Sequence, residues 1–211
     1  MKNNFTEIEK RLASYVPPGV GPGDSAVLIP LVEAGDEVCL VFEERAAALS
    51  AQPGDICFPG GRIEEGETPE EAAVRETCEE LLLSPDDITL AGNLGPMLSI
   101  SGKQIFVFAG ILSGVPENYS EDEVGRLLVI PLADLSAAVP EVHDVALVPT
   151  PGADFPYDRI AGGRDYGWRA SVRRELFYEW KGTTIWGMTA EMLHTFLAVI
   201  DGDGLSGGGR E

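Results

Sequence analysis

The chain has 211 residues, 44% of them hydrophobic and 24% charged, which is enough to bury one sizeable core and too apolar for disorder along most of the length. Its 35 acidic against 15 basic side chains give a formal net charge of −20, a field that repels nucleic acid and obliges a phosphate-bearing ligand to come with a cation. No run nears the ~18 apolar residues of a membrane helix, and MKNNFTEIEKRLASY at the start lacks the apolar centre of a secretory signal. Cys39, Cys57 and Cys78 form neither a disulfide framework nor a metal-type pair. A cytoplasmic protein with reduced thiols, in contact with neither membrane nor nucleic acid, is expected.

In chain order, Phe5, Ile8, Leu12 and Tyr15 recur at helical spacing, with Asn4 or Thr6 as N-cap and Pro17-Pro18-Gly19 as the stop, which predicts a helix over 4–16. Ser25 to Val32 and Glu37 to Glu43 read as two strands across Gly35-Asp36, and Ile56 to Phe58 as a short third. Thr68 with Pro69 and Glu71 makes a capping box, and Ser84-Pro85 ends the helix it starts. Strands are predicted at Ile88 to Leu94, Gln104 to Leu112 and Arg126 to Ile130, followed by a short helix over Pro131 to Ala138. The Pro-, Gly- and Asp-rich stretch 140–167 reads as a long loop insertion. Glu175 to Trp180 and Thr183 to Trp186 form a hairpin, Met192 to Ile200 an amphipathic helix capped by Thr189, and 201–211 a disordered tail. One domain over 1–200 accounts for all of this.

The predicted helix 69–83 carries unusual charge. At ~100° per residue, Glu76, Glu79 and Glu80 fall in one narrow arc and Val74, Cys78 and Leu81 on the far side, which is expected to face the core. Like charges so close destabilise an isolated helix. A solvated acidic face is the ordinary reading. Against it, the i, i+3, i+4 spacing suits a hard divalent cation, and Phe58-Pro59-Gly60-Gly61 just upstream is a turn whose backbone can approach an ion or phosphate closely.

Gly61, Glu67, Arg75, Glu76, Glu79 and Glu80 stand as G-x5-E-x7-R-E-x2-E-E, which resembles the signature of the Nudix hydrolases. Leu82 occupies the place of the glycine that ordinarily follows. The resemblance implies a Nudix-type αβα sandwich, with a mixed β-sheet and a catalytic loop-helix-loop, that hydrolyses a nucleoside diphosphate linked to another moiety. It implies Mg2+ or Mn2+ on Glu76, Glu79, Glu80 and the Gly61 carbonyl, with Arg75 paired to Glu67. Glu76, Glu79, Arg75 and Glu67 are thus the expected catalytic set, and a glutamate of the set or one on a nearby loop the general base.

Leu40, Arg45, Ala46, Gly54 and Phe58 to Gly61, with Glu123-Val124, Ile130-Pro131-Leu132 and Ile185 to Ala190, are similar to the coenzyme A pyrophosphatase branch. Ser50 stands in the place of that branch's second arginine. The similarity implies cleavage of coenzyme A or an acyl derivative to 3′,5′-ADP and 4′-phosphopantetheine. Arg45, Gly60, Gly61, Arg62, Lys103 and Glu123 would contact substrate, with Arg173-Arg174 a further basic pair. ADP-ribose or a dinucleoside polyphosphate is the alternative substrate, and a non-catalytic nucleotide-binding module the alternative role. The partner is a small nucleotide, and a homodimer is compatible with all of this. His143 and His194 read as surface or packed, and Phe177, Tyr178, Trp180 and Trp186 as core rather than a base-stacking platform.

Overall fold

The structure is a computed structural model that describes residues 5–15 and 25–202. Helix α1 (Phe5–Ser14) buries Phe5, Ile8 and Leu12, as its periodicity predicts. Asn4, Val16 and the tail from residue 203 lie outside the described residues, and Thr6 lies within the helix rather than at its cap.

Strands β1 (Ser25–Ala34) and β2 (Glu37–Arg45) are antiparallel where Leu31 to Ala34 meets Glu37 to Leu40, and then they diverge. The gap is filled by one segment. Its β3 (Ile56–Cys57) pairs with Glu43 and Glu44 of β2, and its β4 (Gly60–Arg62) pairs with Ser25 to Val27 of β1. Between them Leu28 N–H donates to the Pro59 carbonyl at 3.0 Å. Helix α2 (Pro69–Leu81) begins with the predicted capping box of Thr68 and Glu71. The sheet is completed by β5 (Ile88–Leu98), by β6 (Gln104–Leu112), which runs parallel to β1, and by β7 (Val124–Pro131), antiparallel to β2. The sheet is therefore mixed.

Period-two alternation sends successive residues of β1 and β2 to opposite faces. Ala26, Leu28, Val32, Cys39 and Val41 pack with Ala72, Ala73 and Leu81 of α2. Ile29, Leu31, Leu40 and Phe42 pack on the other face with α1 and with the last helix, α4 (Gly187–Asp201). Helices on both faces of a mixed sheet make the expected αβα sandwich. Helix α3 (Leu132–Ala137) closes the end of β7.

Three expectations change. Glu141–Leu147 is strand β8 rather than part of a loop; it pairs with β9 (Ser171–Trp180), which pairs with β10 (Thr183–Trp186) in a second, antiparallel sheet. Within 140–167, Pro140 and 148–167 are irregular, the latter with short 3-10 turns at Tyr157–Arg159 and Gly163–Asp165. Helix α4 starts at Gly187, so Thr189 sits in its first turn and is not its cap; Trp186 holds the cap position without a side-chain hydrogen bond. Helix α2 is also rotated from the expected orientation. Its buried residues are Ala72, Ala73, Thr77, Glu80 and Leu81, so the carboxylate arc overlaps the buried side, while Val74 and Cys78 border an open groove of about 900 Å³.

Candidate active site

The glycine turn and the acidic helix meet at close range. Gly60 has φ +154°, and a Cβ there would lie 2.7 Å from the Val27 Cα, so a side chain would force β4 off β1. A Cβ on Gly61 would stand 2.5 Å from both carboxylate oxygens of Glu76. That absent methyl group lets the backbone and the carboxylate share one small space. Glu80 is 3% exposed, and its Oε2 accepts from Gly60 N–H at 2.8 Å, while its carbonyl accepts from Ser120 N–H at 2.8 Å.

Arg75 ties the rest together. Its Nε and Nη2 donate to the two oxygens of Glu67 at 2.9 and 3.0 Å, the fork-to-carboxylate geometry that favours arginine. Its Nη1 reaches Glu76 at 2.9 Å and Glu79 at 3.3 Å, and Nη2 also reaches the Arg62 carbonyl at 2.9 Å. The pairing of Arg75 with Glu67 is thus present in the geometry. Hydrogen bonds from Arg75 and from Glu64 N–H hold the Glu67 carboxyl below its ordinary range, and Glu67 in turn raises Arg75.

Sequence reasoning missed Glu43. It is 1% exposed on β2, on the face shared by Cys39 and Val41, and that alternation was the available signal. Cys57 Sγ–H donates to its Oε1 at 3.3 Å, and its Oε2 is buried with no hydrogen-bond partner. Burial raises the carboxyls of Glu43 and Glu80 well above the ordinary carboxylate range; the Glu43 charge pushes Glu80 higher still, and Glu123 raises both. Burial also raises Glu76, against the pull of Arg75, and it raises the Cys57 thiol, with Glu43 adding to the effect.

Two buried carboxylates that oppose one another's ionisation, one of them with an orphaned oxygen, are short of positive charge, which suits a hard cation. Among the described residues, however, no three carboxylate, imidazole or thiolate groups converge on one point. Glu79 turns toward Arg75 and its side chain is 59% exposed. A bound ion would therefore complete its shell with water, backbone carbonyl and ligand oxygens, as magnesium commonly does.

Of the expected substrate contacts, Arg45 lines a cavity of about 650 Å³ together with Gly60, Gly61 and Arg173, and its Nε donates to the Ala51 carbonyl. Arg62 is exposed beside the turn. Lys103 is exposed in the 99–103 turn, where Ser99 and Ser101 border the same cavity. Glu123 is exposed yet close enough to act on Glu43, Glu76 and Glu80. Arg174 is exposed, and Arg173 faces inward to Glu175 and Glu191. Tyr178 is core, His194 bonds its hydroxyl at 3.0 Å, and Trp186 is 43% exposed and stacked on Phe177. The three cysteines are free.

A mixed sheet between helices, with a glycine turn seated against an acidic helix, defines a class, and the NUDIX domain model matches residues 22–148: the chain belongs to the Nudix family. An uncharacterized Nudix hydrolase, NudL of Cronobacter sakazakii, is 36% identical over 112 residues, covering 52% of this chain and 58% of that relative, so the chain spans little more than half of its length. Nudix hydrolase 3 of Caenorhabditis elegans is 27% identical over 186 residues, covering 84% of this chain and 73% of the relative. Among solved structures, a C. elegans Ap4A hydrolase binary complex has a TM-score of 0.44 at 19% identity, covering 52% of this chain and 80% of that one. The NUDIX domain of Shewanella oneidensis NrtR complexed with ADP ribose has a TM-score of 0.43 at 19% identity, covering 60% and 84%.

Proposed function

We propose that this protein is a divalent-metal-dependent pyrophosphohydrolase that cleaves coenzyme A or an acyl derivative to 3′,5′-ADP and 4′-phosphopantetheine. The observation that carries the reading is the contact of the Gly60-Gly61 backbone with the Glu76 and Glu80 carboxylates, which puts a phosphate-sized approach beside buried oxygen ligands. Glu76, Glu80 and the Gly61 backbone would hold Mg2+ or Mn2+, with Glu43 and Glu79 as further oxygen donors. Such an ion supplies charge neutralisation to the pyrophosphate and acidity to a water.

The chain's own residues do the rest. Arg75 fixes the Glu76 carboxylate while its other edge is held by Glu67, so the ligand is oriented before substrate arrives. Glu80 is anchored by Gly60 N–H. A glutamate outside the buried pair, Glu79 or Glu123, accepts the proton of the attacking water. Arg62 is exposed beside the turn and available to the phosphates, while Arg45 and the turn that carries Lys103 border the adjoining cavity. The free thiols accord with a reducing, cytoplasmic setting.

Ser50 is exposed in the place where the coenzyme A branch has an arginine, and this favours, as the second reading, a substrate without a 3′-phosphate such as ADP-ribose or a dinucleoside polyphosphate. The test is product mass from coenzyme A, dephospho-coenzyme A, ADP-ribose and Ap4A with Mg2+ or Mn2+. Release of 4′-phosphopantetheine supports the first reading. Cleavage of only the last two substrates supports the second, and binding without cleavage of any would make the protein a nucleotide-binding module.

A further inference from the structure

Beside Gly60-Gly61, the 650 Å³ cavity runs between the main sheet and the start of α4. Two of its features ordinarily attract phosphate: its arginines, Arg45 and Arg173, and the N-terminus of a 15-residue helix without a side-chain cap. Both arginines are engaged from within, Arg45 through the bond from its Nε to the Ala51 carbonyl at 3.2 Å. Arg173 Nε stands 3.0 Å from Glu175 Oε1, close enough for an ion pair though not aligned for a hydrogen bond, and its Nη2 donates to Glu191 Oε2 at 2.8 Å. The other oxygen of Glu175 lies 4.0 Å from the point where a Cβ on Gly187 would stand, so this carboxylate also faces the first residue of α4. Glu175 is 7% exposed, and an anion entering the cavity would have to displace it into low dielectric.

The three side chains together carry one excess negative charge. Arg45 and Asp55, which also line the cavity, add one charge of each sign and leave that excess unchanged, and the wall toward α4 is apolar at Ile100, Ile105, Met188 and Met192, with hydroxyls at Ser99 and Thr189.

We propose that this cavity receives the uncharged arm of the substrate, the methylene- and amide-bearing chain beyond the pyrophosphate, and that the Arg173–Glu175–Glu191 triad excludes anionic groups from it. The proposal rests on the hydrolase reading above. It places the pantetheine arm and any acyl group against α4, and the phosphorylated adenosine outside. The triad acts on which arm is accepted and leaves the reacting phosphates to the carboxylate side.

The test compares kcat/KM for butyryl-coenzyme A, for succinyl-coenzyme A, which adds one carboxylate at the end of the arm, and for butyryl-dephospho-coenzyme A, which lacks the 3′-phosphate. The parent should prefer butyryl- over succinyl-coenzyme A by about tenfold or more, through KM, and should be nearly indifferent to the 3′-phosphate. Glu191→Gln, at a half-exposed helix position, should narrow the discrimination about threefold or more through KM, by removing the triad's excess negative charge. Equal use of the first two substrates, discrimination unchanged in Glu191→Gln, or strong dependence on the 3′-phosphate would overturn the assignment. If none of the three compounds is cleaved, the hydrolase reading for coenzyme A fails, and calorimetric titration of the same compounds decides the cavity's role. Tighter binding of butyryl- than of succinyl-coenzyme A then sustains it, and equal or absent binding overturns it.

Discussion

Glu43 and Glu80 give the metal-free protein a pH dependence whose sign can be worked out. Burial raises both carboxyls, so above the ordinary carboxylate range the folded chain holds more protons than the unfolded one. Stability without metal is then fully present at low pH and falls as pH rises through the raised values. A tenfold gain in proton affinity at each carboxyl already corresponds to ~2.7 kcal/mol, or roughly 5–11 °C in Tm for a chain of this size. A divalent cation on the same oxygens offsets the loss, and at about 100 times its Kd it contributes ~2.7 kcal/mol. Because protons compete for those oxygens, its effect grows with pH. The assay is thermal unfolding at about pH 5.5 and about pH 8.5, in EDTA and in excess Mg2+ or Mn2+, for the parent and Glu80→Gln. The variant keeps an acceptor for Gly60 N–H and has no proton to hold against the raised pH, so in EDTA at the higher pH it should melt above the parent while losing most of its turnover and its metal-induced gain. A metal effect equal at both pH values, or a variant less stable than the parent under those conditions, would refute the charge argument.

Other outcomes follow from single contacts. Arg75→Ala should lower kcat/KM by roughly a hundredfold, since the Glu76 carboxylate loses its orientation, with only a small change in Tm because the arginine is partly solvent-screened; unchanged kinetics would show that Arg75 positions nothing. Gly61→Ala sets a methyl group into the Glu76 carboxylate and should reduce turnover and metal affinity together, measured by steady-state kinetics and calorimetry; normal affinity would mean that the turn is not part of the site. Leu82 ends α2 at φ +51° and is 59% exposed, so Leu82→Ile, which adds β-branching in a left-handed conformation, should cost ~1 kcal/mol in denaturant unfolding without altering turnover.

The capping box, β1, β2 and the glycine turn were legible because their signals are local: Thr68, Pro69 and Glu71 act within one turn, and the pleat of β2 is written in its alternation. Strand β8 was not legible. Glu141 to Leu147 is almost wholly exposed, and its strand character comes from pairing with residues some 30 positions on, of which EVHDVAL alone carries no trace. The rotation of α2 was misjudged for a related reason, since a helical wheel ranks Val74 and Cys78 above Glu80 by hydropathy. The buried place of Glu80 is supported by Gly60 N–H from the glycine turn, which a wheel does not contain. The Thr189 cap failed because the helix begins two residues earlier, at Gly187 directly after β10.

The stretch between β8 and β9 has a practical consequence. Leu147 and Ser171 are direct partners across that ladder, so the 23-residue excursion from 148 to 170 leaves and re-enters at points one strand spacing apart, ~5 Å. Topologically it is a detachable module: a two-residue turn such as Asn-Gly could bridge the same gap without disturbing the register that presents Arg173 and Glu175. The same junction would accept a foreign segment whose own ends lie close together, which makes it a natural port for attaching a reporter or a tether to the catalytic body.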